Sequence, residues 1–207
     1  IQVKGFTGAK YKKFHSNAEA EAWIAGDGAS SSTAAAAPAP GASSSSKGKK
    51  REMSSDVDAD GWDVVYSDGA CKGNGQVGSV AGVGVWWGPD DPRNIAERCP
   101  GDQTNNRAEL IAILRVLETT PNSTRPLMIK TDSQYSIQCF NDWIGGWIKK
   151  NWINSSGQPV KNAPLIRYIQ AHLEARKRRD QQVKLSYVKG HSGDRGNDGA
   201  DYQANIG

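Results

Sequence analysis

The chain has 207 residues, a mean hydropathy of −0.64 and 23 glycines, enough length for one or two domains with much of the chain outside any core. Its 26 basic residues against 22 acidic ones leave a formal charge of +4, too small alone to establish a nucleic-acid partner, so the distribution of charge has to carry that argument. No run of about 18 apolar residues predicts a membrane span, and Cys71, Cys99 and Cys139 form neither a CxxC pair nor a disulfide framework, which fits a reducing, intracellular compartment.

Residues 1–25 place Ser16 and Glu19 as a capping box before Ala20, Trp23 and Ile24, the start of an amphipathic helix in a segment too short to bury a core alone. The start at Ile1, inside patterned sequence, reads as a piece of a longer chain whose targeting segment is absent. Residues 26–61 are rich in Ser, Ala, Gly and Pro without apolar periodicity and read as a flexible linker. Residues 62–207 hold 18 Lys and Arg against 15 Asp and Glu and are patterned throughout. Strands are predicted at 62–71, 78–87 and roughly 93–99 as an antiparallel meander. Leu110, Ile113, Leu114 and Leu117 then form the stripe of a helix packed on a sheet. "LMIKTD" gives a fourth strand ending on Asp132, followed by a basic, Trp-rich stretch and a helix over about 164–179. "QVKLSYVKG" gives a fifth strand leading to His191 and a last helix near Asn197. The order predicts an α/β fold with a mixed five-stranded sheet flanked by helices.

Two carboxylates, Asp68 and Asp132, end apolar strand-like runs, where an unpartnered charge is costly. Glu109 lies in the first turns of the first helix beside its apolar stripe, and Asp201 sits on the last helix, ten residues after His191. Four acids from four elements can converge. Such a set, without Cys ligands, suits a hard cation, Mg²⁺ above all and Mn²⁺ almost as well, and two such ions can support in-line phosphodiester displacement. Each acid also has a plainer reading: Asp68 as a turn residue before Gly69, Asp132 as a helix N-cap, Glu109 and Asp201 as solvated helix residues, Asp198 as a favourable charge at a helix start.

The segments "YSDGACKGNG", "QTNNRAEL", "IKTDSQY" and "VKGHSGDRGNDGAD", in this order, resemble the four signature segments of the type 1 ribonuclease H family, and the likeness covers essentially all of residues 62–207. The resemblance implies a ribonuclease H-like fold, a catalytic domain at 62–207, and hydrolysis of the RNA strand of RNA/DNA hybrids to 3′-hydroxyl and 5′-phosphate ends. It implies Asp68, Glu109, Asp132 and Asp201 as the metal-binding tetrad. Asp68 would bridge two ions, Glu109 and Asp132 would complete the leaving-group site and Asp201 the water site, with His191 aiding proton movement or product release. It also places Asn74, Asn105 and Asn106 in the minor groove, where side-chain amides can sense a 2′-hydroxyl, and Asn105 can equally cap a helix. Thr104 and Asn162 match a phosphate pocket, Trp147 a contact to the DNA strand, and Lys149, Lys150 and Lys161 supply backbone charge beside it. Asp102 stands where eukaryotic relatives can carry an arginine.

"GFTGAKYKKF" resembles the second half of the hybrid-binding domain of eukaryotic members, with Tyr11 stacking on DNA and Lys12 and Lys13 meeting backbone. These implications describe a monomeric enzyme with an RNA/DNA hybrid as partner, no membrane, no organic cofactor, and residence in the nucleus, the mitochondrion or both. The rivals are a reverse transcriptase's ribonuclease H domain and an inactive hybrid-binding module. Trp143 reads as a core residue and the basic run 176–180 as a solvated helix end.

Overall fold

The computed structural model describes residues 61–207; the predicted capping box, Tyr11, Lys12, Lys13 and all of the linker but Gly61 lie outside them. Three strands come first, β1 Asp63–Lys72, β2 Val80–Trp86 and β3 Ile95–Arg98, then α1 Asn105–Thr119 and β4 Leu127–Thr131. Helix α2, Gln134–Gln138, runs through a π-helical turn at Cys139–Trp143 into α3, Ile144–Lys149. After a loop come α4 Ala163–Lys177, β5 Val183–Tyr187 and α5 Arg195–Ile206. The sheet order is β3-β2-β1-β4-β5, antiparallel on the β1–β2 and β2–β3 seams and parallel on β1–β4 and β4–β5. The mixed five-stranded sheet read from the sequence is therefore present.

Strand ends differ from the reading for local reasons. Residues Gly73–Ser79 are used by the β1–β2 turn, with Gln76 N–H donating to the Gly73 carbonyl, so β2 starts at Val80. Asn94 accepts from Trp87 N–H and donates to the Gly88 carbonyl, which keeps the loop before Ile95 out of the sheet. Asp68 is not the end of its strand: β1 continues to Lys72 against β2, while its parallel pairing with β4 stops at Tyr66 and Lys130. The two central strands thus part beside Asp68, opening a crevice at their carboxyl ends, the usual ligand position of an open α/β sheet.

The predicted stripe of α1 is buried as read, but Ile111, Ala112 and Val116 are buried too. Sheet residues Val65, Val83 and Ile129 meet this helix on one side, and Ile166 and Ile169 of α4 complete the same core. Two of the plainer sequence readings fail here. Trp143 is 37% exposed, while Trp147 and Trp152 pack against the core instead. In the basic run, Arg176 is buried: its guanidinium donates to Gln181 Oε1 at 2.5 Å and to the Leu117 and Thr120 carbonyls at 2.6 Å, closing the C-terminus of α1. Lys177 to Asp180 are exposed, as expected of a helix end. Among the described residues no helix is long and apolar enough to cross a membrane, and all three cysteines are free thiols.

One close approach sets the spacing of α1 and β1. At Gly69, an added methyl would collide with the backbone amide of Glu109 and with Ala108. We expect Gly69→Ala to cost roughly 2–4 kcal/mol in urea unfolding, because the obstacle is backbone that cannot rotate away. A loss below about 1 kcal/mol would show that the helix can shift at little cost.

Candidate metal centre

Asp68 is carried by β1, Glu109 by the second turn of α1 and Asp132 by the residue after β4, and each of these three carboxylates offers an oxygen within 4.8 Å of the others. Helix α1 seats directly on Gly69, so Glu109 meets the sheet beside Asp68 rather than projecting into solvent. Asp68 and Glu109 are each only 5% exposed. Ser133, not Asp132, caps α2: its hydroxyl accepts from Ser136 N–H at 3.2 Å, which leaves the Asp132 carboxylate available to the crevice.

Asp201, on α5, lines the same cavity of about 690 Å³ together with Asp68, Glu109, Asp132, His191 and Asn105. Beside burial and the charge of Asp132, its charge helps push the Asp68 carboxyl upward, and its own carboxylate is held by Asn205 Nδ2, which donates to Oδ1 at 3.0 Å. Asp198 is exposed in the first turn of α5, and Asp194 is the helix cap, accepting from Gly196 and Asn197 N–H. His191 is exposed on the loop after β5, with φ +51, and reaches the cavity from outside the sheet.

The electrostatics follow from this crowding. Burial, then the charges of Asp132 and Asp201, push the Asp68 carboxyl up to about 7. Burial, then Asp68 and Asp132, push Glu109 well above the usual carboxylate range, against a hydrogen bond from Asn105 Nδ2 at 3.4 Å. Glu109 Oε2 is buried with no partner among the described residues. A cluster of carboxylate oxygens, one of them orphaned, with no sulfur or imidazole among the three residues, fits a hard divalent cation.

Reading the sequence for charge missed Asn197. It is 1% exposed, lies one helical turn before Asp201, and donates from Nδ2 to Asp132 Oδ2 at 3.4 Å, so it ties β4 to α5 behind the cluster. A buried amide four residues ahead of a site carboxylate, on the same helix face, was the available signal.

Around the cavity, Thr104 caps α1, accepting from Arg107 N–H at 3.4 Å, so the cap role read for Asn105 falls to its neighbour. Asn105 N–H donates to Asn74 Oδ1 at 3.2 Å, joining the β1–β2 turn to the start of α1, while Asn106 is exposed. Asn162, at the start of α4 with φ +60, accepts from Arg107 Nη1 at 3.4 Å, so Arg107 bonds Thr104 through its backbone N–H and Asn162 through its guanidinium. Farther out, Trp143, Trp147 and Trp152 form a run of ring contacts at 5.6 and 6.2 Å, with Lys149, Lys150 and Lys161 exposed near it.

A mixed five-stranded sheet with an acidic cluster where its central strands part defines the ribonuclease H-like fold class. The chain belongs to the ribonuclease H family: the family model described as RNase H matches residues 62–207, and one described as Ribonuclease H1 N-terminal domain matches residues 1–24. It is 47% identical over 145 residues to "Ribonuclease H" of Schizosaccharomyces pombe and 37% identical to "Ribonuclease H1" of Homo sapiens, covering 70% of this chain in both cases and 52% and 49% of those proteins. It thus spans about half the length of these relatives. A bacterial relative, "Ribonuclease H" of Stutzerimonas stutzeri, is 38% identical over 72% of this chain and 93% of its own length. Among solved structures, the foamy viral protease-reverse transcriptase in complex with RNA/DNA hybrid shares the fold at a TM-score of 0.56 and 22% identity, over 69% of this chain and 19% of that one. LC9-RNase H1 shares it at 0.51 and 24%, over 69% of each chain.

Metal-free stability should report the crowding. Folded Asp68 keeps its proton up to about pH 7, whereas the unfolded residue loses it near the usual 3.8, so the folded chain binds more protons across that window. Stability therefore falls as pH rises through it. In EDTA near neutral pH, Asp68→Asn should be more stable than the parent by roughly 2–4 kcal/mol, with the gain vanishing in acid. Equal or lower stability in denaturant melts at neutral pH would show that the cluster carries no such repulsion.

Proposed function

We propose that the chain hydrolyses the RNA strand of RNA/DNA hybrids as an endonuclease, leaving 3′-hydroxyl and 5′-phosphate ends. The carrying observation is the convergence of four carboxylates from four elements on one crevice, in a chain of the ribonuclease H family. The names of its relatives support the same reading. Asp68, Glu109, Asp132 and Asp201 would hold two Mg²⁺ ions, replaceable by Mn²⁺, with Asp68 a ligand to both, Glu109 and Asp132 on the leaving-group side and Asp201 on the water side. When bound, such a pair supplies Lewis-acid stabilisation of the attacking and leaving oxygens of an in-line displacement.

The chain's own groups do the rest. Glu109 and Asp132 are held by Asn105 and Asn197, so their carboxylates are oriented before substrate arrives. His191, on its exposed loop, takes up or releases a proton at an imidazole nitrogen beside the cavity. The amides of Asn74, Asn105 and Asn106 read the 2′-hydroxyl, which only the RNA strand offers. Thr104 and Asn162, both hydrogen-bonded to Arg107, receive a DNA phosphate, and Arg107 supplies the positive charge that Asp102 does not. Trp147 packs on the DNA strand while Lys149 and Lys150 neutralise its backbone. Contacts of this kind select hybrid shape over base sequence. Residues 62–207 form the catalytic domain in this reading, joined by a linker at 26–61 to part of a hybrid-binding domain at 1–25 that adds Tyr11, Lys12 and Lys13.

The test uses one end-labelled RNA presented as hybrid, as RNA duplex and as single strand, with Mg²⁺ or EDTA. Cleavage is expected of the hybrid alone and with metal alone, and Asp132→Asn should slow it by roughly a thousandfold while binding persists. Cleavage by pure Asp132→Asn at the parental rate would remove that residue from the site. Replacing Lys149 and Lys150 together by Ala should flatten the dependence of log K on log salt concentration by roughly one to two units. An unchanged slope would put the Trp-rich protrusion away from nucleic acid.

A further inference from the structure

The sequence holds a single Asn–Gly pair, Asn74–Gly75. The fold puts both residues at the centre of an exposed turn, closed by Gln76 N–H donating to the Gly73 carbonyl at 2.9 Å, with Gly75 at φ +80. No side chain crowds Gly75: even an added methyl would meet nothing within 4 Å. Asn74 Oδ1 accepts the backbone N–H of Asn105 at 3.2 Å, at the N-terminus of the 15-residue helix α1. That donor, at the positive end of the helix dipole, draws electron density from the amide carbon and stabilises negative charge developing on Oδ1.

We propose that Asn74 is a deamidation site whose conversion switches off hybrid binding; the second half of this statement rests on the reading of Asn74 as a minor-groove contact. The deprotonated Gly75 amide nitrogen attacks Asn74 Cγ and forms a C–N bond. The Cγ–Nδ2 bond breaks and the nitrogen leaves as ammonia. Water then opens the five-membered imide at one carbonyl or the other, giving aspartate or isoaspartate. The net change is amide plus water to acid plus ammonia, with no change of oxidation state.

The product separates stability from binding. An aspartate at position 74 keeps an acceptor for Asn105 N–H and adds a negative charge at a helix N-terminus, where it is favourable. The same conversion removes both Nδ2 hydrogens and sets a carboxylate against the phosphate-rich groove. Asn122 and Asn141 are also exposed but precede Ser123 and Asp142, whose side chains hinder ring closure, so they serve as internal controls.

The whole chain is aged in mildly alkaline buffer at physiological temperature, mapped by peptide mass spectrometry, and assayed for hybrid binding in EDTA beside Asn74→Asp. Asn74 should convert several-fold faster than Asn122 and Asn141, and more slowly with hybrid bound. Asn74→Asp should unfold at the parental midpoint yet bind hybrid roughly tenfold more weakly. Survival of Asn74 to the same extent as the controls overturns the modification, and parental affinity of Asn74→Asp overturns the switch. Failure of the unmodified chain to bind hybrid overturns the functional reading and the switch together, while the peptide map still decides the modification.

Discussion

Carboxylate oxygens from Asp68, Glu109 and Asp132, all within 4.8 Å, repel one another in a crevice where water screens them poorly, and the rest of the molecule is arranged to hold them there. The parallel strands part at Tyr66 and Lys130, which makes room for Asp68 and Asp132 while both remain attached to rigid strands. The bare backbone at Gly69 lets α1 bring Glu109 into the same space. Each feature raises the cost of the metal-free fold. Folding energy from the apolar core, centred on α1 between the sheet and α4, sustains that cost, and a bound cation relieves it.

What could be read from the sequence followed from whether a signal was periodic or local. The α1 stripe and the strand pattern come from burial on one face, which periodicity reports directly, and so the mixed sheet was legible. The four acids were legible as a set because each lies in one of four ordered segments beside a small residue, though none was decisive alone. The strand read at 62–71 already ran past Asp68; what the sequence does not reveal is that β4 leaves β1 at Tyr66 while β2 stays paired to Lys72, because strand partners are invisible to apolar patterning. Arg176 was misread for a related reason. A guanidinium followed by three basic neighbours looks solvated, and only tertiary packing brings the Leu117 and Thr120 carbonyls to it. Trp143 was misread as core because the π-helical turn between α2 and α3 shifts the helical phase that a regular repeat assumes.

Rigidity is distributed unevenly between the reaction centre and the surface that would read the substrate. The acids stand on the two central strands and on two packed helices. The asparagines and the tryptophan run stand on a glycine-rich turn, a helix start and an irregular helical protrusion. A metal pair tolerates little displacement, whereas a groove read through phosphates and hydroxyls tolerates more, so precision is concentrated where the chemistry needs it. The bond from Asn105 N–H to Asn74 Oδ1 crosses that division: it fastens the reading turn to the helix that carries Glu109.

Asp201 reaches the cluster by a different route. Its helix, α5, lies on the sheet face opposite α1, and its contact with β2 depends on glycine: added methyls at Gly82 and Gly84 would collide with the carbonyls of Ala204 and Ala200. On the other side of the same seam, Gly196 and Gly199 leave space for the rings of Tyr66 and Trp86, which meet edge to face at 5.9 Å. The fourth carboxylate is therefore placed by shape complementarity across a seam that has almost no side-chain slack. An error in that seam moves Asp201 and, through Asn197 on the same helix, loosens the hold on Asp132, while Asp68 and Glu109 stay positioned through Gly69. The acidic set therefore responds to substitution in two ways. A defect in the α5 seam would act on Asp201 and Asp132 from one face of the sheet, whereas a defect at Gly69 would disturb the shared core and the site together.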